Sequence, residues 1–169
     1  NLADIVQERA AFENFDDGVL ELNGRAHRSP EIARSFAYAR AIGFPQINID
    51  LIAGMLGETD ANWQACIRRT LDLDPDSVTI YPMELPFNTV YSRDILGNQI
   101  ETPVADWPTK RAWLNYAYDT LGAAGYYVSS AYTLVKDPHK VNFSYRDNLW
   151  CGADLLATGV ASFGHISGV

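Results

Sequence analysis

The chain has 169 residues, 47% apolar and 20% charged, which is enough to build one folded domain with a real core and excludes a disordered polymer. A formal charge of −8 excludes nonspecific nucleic-acid binding, which needs a basic surface. No apolar run reaches the length of a membrane span, and the first residues do not read as a signal peptide. Two widely separated cysteines, Cys66 and Cys151, form no metal-ligand pair in sequence and fit a reducing cytoplasm.

In chain order, Leu2, Ile5, Val6 and Ala10 recur at helical spacing, so Leu2–Phe12 is predicted as a short helix. Phe15-Asp16-Asp17-Gly18 reads as a turn in which Asp16 or Asp17 caps Val19–Leu22. A polar, basic loop covers Asn23–Arg28. Ser29-Pro30 then sets an N-cap before a first-turn proline. Ile32, Phe36 and Ala39 mark the apolar face of that helix, and Gly43 ends it.

Gln46–Gly57, QINIDLIAGMLG, is the central stretch. Ile47, Ile49, Leu51 and Ile52 suit a buried strand of a parallel sheet, and one carboxylate, Asp50, interrupts them. Burying a carboxylate is costly unless it is paired. Strand ends in α/β proteins host ligands, so Asp50 is the first site candidate, with loop capping as the plain alternative.

Thr59 caps the next helix, whose stripe is Trp63, Cys66, Ile67 and Leu71. Asp74-Pro75-Asp76 closes it, and Ser77–Tyr81 is a strand. Alternating helices and strands with short links imply a parallel sheet or barrel. Met83–Ala105 is a long irregular segment of the kind that carries function. Asp106–Ala124 is a helix with Pro108 in its first turn, Trp113, Ala117, Leu121 and Ala124 inward, and Gly125 at its end. Tyr126–Val135 and Asn142–Tyr145 read as strands, and Leu155–Phe163 is apolar, so the tail is expected to form a small antiparallel sheet. The class is α/β with a β-rich end. NLADIVQERAAF opens without a Met or a first strand, so the chain is expected to be part of something longer.

Four segments appear in order: FDDGVLELNGRAH, INIDLIAGMLGET, SVTIYPMELP and YRDNLWCGADLLATGVASFGH. Together, from about Phe12 onward, they resemble the oxygen-independent coproporphyrinogen III oxidase-like branch of the radical S-adenosylmethionine (radical SAM) enzymes. That family shows an N-R-x-H segment, an I-D-L-I-x-G-L-P strand and a Y-W-x-G-x-D-Y-L-G tail. The resemblance implies the second half of a partial (β/α)6 TIM-like barrel over residues 1–125. Residues 126–169 would begin a β-rich C-terminal region. Glu13, Arg25 and Asp50, twelve and then twenty-five positions apart, match the family's spacing of cofactor-contacting residues. By resemblance they would hold the methionine and ribose parts of S-adenosylmethionine, with Met83 contributing through its backbone. Arg25 suits a carboxylate, which its fork can grip. Glu13 and Asp50 suit an ammonium or ribose hydroxyls.

The complete family enzyme also carries a [4Fe-4S] cluster on a C-x-x-x-C-x-x-C motif. Neither that motif nor the GGxP segment following it occurs in this chain, so the chain by itself is not expected to run radical chemistry. The fourth barrel strand is not apparent either, because LADIVQERA is charged and helical. Glu13 replaces a common glutamine, and Met55-Leu56-Gly57 replaces leucine-proline. The function implied is that of a radical SAM oxidoreductase acting on a small molecule of the tetrapyrrole class. The rivals are a noncatalytic haem- or tetrapyrrole-binding protein, a methyltransferase-like relative and an inactive fragment. Unpaired barrel edges would invite self-association.

Among other residues, His27 reads mainly as a solvated loop histidine, with a substrate-carboxylate contact as the sharper option. His165 divides evenly between a structural bond and a site role, and His139 belongs to a polar surface turn. Cys66 belongs to the core and Cys151 to packing within a sheet. Arg146 and Asp147 suggest a local ion pair. Glu58 and Glu84 are weaker pocket candidates, since carboxylates at such positions also cap helices.

Overall fold

A computed structural model describes residues 8–84, 104–158 and 164–167. Strand β1 (Glu8–Glu13) runs parallel to β2 (Ile47–Ala53), and β2 parallel to β3 (Ser77–Pro82). β4 (Tyr127–Val128) and β5 (Thr133–Val135) pair antiparallel, and β5 pairs antiparallel with β3. The result is a mixed five-stranded open sheet of order β1-β2-β3-β5-β4. Helices α1 (Asp17–Leu22), α2 (Ser29–Ala41), α3 (Asp60–Leu73), α4 (Trp107–Ala123) and α5 (Ser144–Trp150) accompany it.

The two faces of the sheet differ in chemistry. Ile47, Ile49, Leu51 and Ala53 of β2, Val78 and Ile80 of β3 and Leu134 of β5 project to one side. There they pack with Ile32 and Phe36 of α2, Trp63 and Ile67 of α3, and Trp113 and Leu121 of α4 in one core. Alternation sends Asn48, Asp50, Ser77, Thr79 and Thr133 to the other side. A side-chain network joins that row. Asn48 Oδ1 accepts from Ser77 Oγ (2.8 Å) and Thr79 Oγ1 (3.1 Å), Asn48 Nδ2 donates to Asp50 Oδ1 (2.7 Å), and Thr79 meets Thr133 at 3.3 Å. Helices α2, α3 and α4 pack on one face of the sheet, and polar side chains line the other.

Most helix boundaries follow the expected chemistry. Asp16 caps α1 by accepting from Gly18 and Val19 N–H, Thr59 caps α3 by accepting from Asn62, and Asp106 caps α4 by accepting from Thr109. Ser29 is the first residue of α2 rather than its cap; the cap position falls on Arg28, whose N–H donates to Glu31 Oε2 at 2.9 Å, while Ser29 N–H donates to Asp17 Oδ1 at 2.7 Å. The stripe of α3 includes buried Thr70, with Leu71 only half-buried, and Ala124 at the end of α4 is exposed.

Two predicted elements are corrected. The stretch Glu8–Phe12, expected as the end of a helix, is strand. It pairs with β2 from Glu8↔Ile47 to Ala11↔Asp50, and ladder formation overrides a weak local helix preference. Residues 1–7 of that predicted helix lie outside the described residues. Asn142–Tyr145, expected as a strand, instead leads into helix α5. The aromatic residues that suggested a strand here face a cavity and a stacked arginine. Cys151 is exposed at the end of α5, not packed within a sheet. In the tail, Leu155 and His165 form one antiparallel bridge through their backbones. Residues 85–103 of the predicted loop and 159–163 of the apolar stretch fall outside the described residues.

Candidate cofactor site

The site grows from the C-terminal ends of β1 and β3 and from the middle of β2, where Asp50 sits with Leu51, Ile52 and Ala53 still paired beyond it rather than at the strand's end as expected. Between Ala11 and Glu13 the β1 ladder carries a bulge, and Glu13 adopts φ 62°, in the left-handed region where non-glycine residues are uncommon. Bulges re-aim side chains and cluster near functional sites, as does such strain. Here the bulge brings the Glu13 carboxylate to the loop after α1, where its Oε2 lies 2.5 Å from Arg25 Nε. His27 in the same loop bonds the Phe12 carbonyl through Nε2 at 3.0 Å and is half-buried rather than solvated.

Asp50, 9% exposed, completes the group from β2. Burial pushes the Glu13 carboxyl above its usual range; the Arg25 and His27 charges oppose that rise, and the Asp50 carboxylate adds to it. Three residues far apart in sequence thus share one electrostatic neighbourhood. Glu13 Oε2 is buried, and among the described residues no donor is aligned on it as a hydrogen bond; the close Arg25 approach is an ion pair without that alignment. A buried carboxylate oxygen without an aligned donor beside an arginine fits a zwitterionic ligand, its ammonium on Glu13 and its carboxylate on Arg25.

Met83 sits just past β3. Its N–H donates to Ala53 O at 2.7 Å and its carbonyl accepts from Lys110 Nζ at 2.8 Å. Met83 lines a cavity of about 300 Å³ together with Arg25, Met55 and Tyr81, so it shares a wall with the Glu13 group through Arg25. Lys110 comes from α4, is only 5% exposed and reaches Met83 across Gly54. Gly54 has φ 98°, and a Cβ there would lie 2.5 Å from Lys110 Cε, so this glycine is required by both conformation and space.

Glu58, ranked low from sequence, has a defined structural task. Its Oε2 accepts from Gly54 N (2.6 Å) and Met55 N (3.2 Å), and its Oε1 accepts from Asn14 Nδ2 (2.7 Å). Fully buried Asn14 follows Glu13, so Glu58 braces the turn after β2 against the end of β1. Desolvation pushes its carboxyl up to about 7 despite these donors. The sequence signal was the pair of tight-turn glycines, Gly54 and Gly57, just before a carboxylate.

The cluster ligands expected of the complete enzyme do not fit this chain. Cys66 is buried on α3, where desolvation raises its thiol, and Cys151 is exposed beyond α5. Among the described residues no group of three or more His, Cys, Asp or Glu is placed to hold a metal ion. No helix of the described residues is long and apolar enough to cross a membrane.

Helices α2, α3 and α4 on one face of an open, mixed five-stranded sheet define an α/β scaffold. Over 94% of its length the chain superposes on the solved coproporphyrinogen III oxidase (HemN) of Escherichia coli, a radical SAM enzyme, with a TM-score of 0.72 at 19% identity, matching 38% of that chain. That likeness is one of fold.

The chain is a distant homologue of the family of oxygen-independent coproporphyrinogen III oxidases and HemW heme chaperones. It is 24% identical to the heme chaperone HemW of Bacillus subtilis over 92% of the chain, and 27% identical to that of Lactococcus lactis over 99%. It is 30% identical to the oxygen-independent coproporphyrinogen III oxidase of Thermostichus vulcanus over 68% of the chain. The chain spans 40%, 44% and 34% of the lengths of these curated relatives. No protein-family model matches it.

Proposed function

We propose that this chain supplies the S-adenosylmethionine-holding half of a radical SAM protein that handles a tetrapyrrole. Residues 1–125 would be the second half of a (β/α)6 barrel and residues 126–169 the opening of a C-terminal region. The observation that carries the reading is the shared electrostatic neighbourhood of Glu13 at the end of β1, Arg25 in the loop after α1 and Asp50 in the middle of β2, with no donor among the described residues aligned on the buried Glu13 oxygen. Arg25 grips the ligand carboxylate, Glu13 accepts from its ammonium, and Asp50 accepts from ribose hydroxyls. The Met83 segment closes the side of the cavity. When bound beside a reduced iron–sulfur cluster, this cofactor supplies a carbon radical that abstracts hydrogen. The three-cysteine motif that would hold that cluster is not among these residues.

The test uses the full product of the coding region containing this chain, reconstituted anaerobically with iron and sulfide. With dithionite and S-adenosylmethionine it should release 5′-deoxyadenosine, and Arg25→Ala should depress that release. A reconstituted protein that makes none would overturn the oxidoreductase reading.

A second reading, a noncatalytic haem carrier on the same scaffold, is favoured by one observation. The heme chaperones of Bacillus subtilis and Lactococcus lactis align over 92% and 99% of the chain, the Thermostichus vulcanus oxidase over 68%. Haem titration followed by visible absorption tests it: a saturable Soret shift supports a carrier, and an unchanged free-haem spectrum removes it.

A further inference from the structure

Glu13 owes its direction to a strained turn rather than to the strand that carries it. From Ala11 to Glu13 the chain advances two residues while β2 advances one, from Asp50 to Leu51. Asn14 N–H then closes a three-residue turn on the Phe12 carbonyl at 2.6 Å, with Glu13 at its centre at φ 62°. A three-residue turn with a positive central φ is the rare, strained form, and a glutamate lacks the freedom of glycine to adopt it. Such a conformation persists only where the surrounding structure over-determines it.

The next residue, Asn14, supplies that constraint. It is 0% exposed, and its side-chain amide is engaged at both ends. Oδ1 accepts from the N–H groups of Phe15 (2.8 Å) and Asp16 (2.9 Å), and Nδ2 donates to Glu58 Oε1 (2.7 Å) and Asn62 Oδ1 (3.1 Å). Both lone pairs and both protons of the amide are therefore used, a set that an aspartate of the same shape cannot offer. Entry into α1 needs only the two bonds at Oδ1, because Asp16 caps that helix itself. The Nδ2 bonds serve a different end: they tie the strained turn to α3 through Asn62 and, through Glu58, to the Gly54 and Met55 amides after β2. Breaking them would leave buried polar groups unpaired, which is why the turn cannot relax at low cost.

We infer that Asn14 is a positioning residue: clamped to Glu58 and Asn62, it holds Glu13 in the strained turn that aims its carboxylate at Arg25. The inference rests on the proposed function for what Glu13 and Arg25 hold, while the clamp stands on its own geometry.

The test is NMR on the 169-residue chain, first without cofactor. In the parent, the Glu13 one-bond Cα–Hα coupling should report a positive φ, the Asn14 side-chain amide protons should resist exchange, and the Glu13 carboxyl should titrate above its ordinary range. Asn14→Ser keeps an oxygen for the local turn but cannot reach Glu58 or Asn62. In that variant the coupling should revert to that of a negative φ, and the Glu13 midpoint should fall as its carboxylate swings toward water. Ile67→Val trims the core without touching the clamp, so it should lower stability and leave every Glu13 signal in place. With S-adenosylmethionine added, Asn14→Ser should raise the dissociation constant about tenfold, the loss of one charge-assisted hydrogen bond. A parent whose Glu13 shows negative φ or whose Asn14 amide exchanges freely would overturn the inference whether or not any variant folds. So would an Asn14→Ser chain of native circular dichroism that keeps the parent's Glu13 signals or its cofactor affinity. A parent with the expected Glu13 and Asn14 signals that fails to bind S-adenosylmethionine overturns the cofactor reading and leaves the clamp supported.

Discussion

Glu13 Oε2 and Arg25 Nε stand 2.5 Å apart, joined by charge without an aligned hydrogen bond, at the one bulge of the β1–β2 ladder. The arginine is the more exposed partner, at 41% against 14%, so its worth to folding is small and its worth to a ligand is the larger expectation. Arg25→Ala should therefore change the unfolding free energy by less than about 1 kcal/mol. The same variant should raise the Glu13 titration midpoint further, because the cation is what opposes the burial-driven rise. Carboxyl-carbon NMR across pH reads this directly, and a midpoint that falls or stays fixed would contradict the pairing.

Glu58 makes stability depend on pH. Its carboxyl is held at about 7 in the folded chain against an ordinary 4.5, so the folded state binds more protons between those values. Stability from this group is therefore full below 4.5 and falls as pH rises toward 7, levelling above, by at most about 3 kcal/mol. Urea midpoints at steps from pH 5 to pH 8 should show the decline, and Glu58→Gln should flatten it. A slope that persists unchanged in the glutamine variant would assign it to another group.

Gly54→Ala should displace Lys110. The added Cβ meets the lysine stem and the backbone must hold φ 98°, so the cost should be about 1–3 kcal/mol. The displaced amine would also release the Met83 carbonyl it now holds at 2.8 Å. Thermal unfolding gives the first quantity, and amide-exchange protection around Met83 reports the second. A variant as stable as the parent would contradict the close approach.

Trp63 is fully buried, stacks on Trp113 with ring centroids 6.3 Å apart, and donates from Nε1 to Trp113 O at 2.8 Å. Trp63→Ala removes both packing and a bond, so chemical denaturation should show a loss of about 3–5 kcal/mol. A loss below about 1 kcal/mol would mean that α3 and α4 do not lock through this pair.

The parts of the fold carried by strong local patterns were legible: β2 from its apolar run, α2 from its stripe, α3 and α4 from caps and stripes, and β3 from its position after Asp74-Pro75-Asp76. β1 was not, because ERAAFE has no strand signature of its own and becomes a strand only against β2. The helix at Ser144–Trp150 was hidden for the opposite reason, since Phe143 and Tyr145 carry strand preference but are used to line a cavity. In the site, the resemblance to the radical SAM family's pattern singled out Glu13, Arg25 and Asp50. It could not reveal that Glu58 braces the turn beside them, because that depends on Asn14, a contact 44 positions away in sequence.

The most direct measurement is an ¹H–¹⁵N NMR titration of the chain with S-adenosylmethionine. Without a cluster to chelate the methionine end, binding should be weak, in the millimolar range and below calorimetric detection at micromolar protein. The shift changes should gather at Glu13, Arg25, Asp50 and Met83 and be lost in Asp50→Asn. Saturating cofactor that leaves those amides unmoved, or moves only distant ones, would contradict the account.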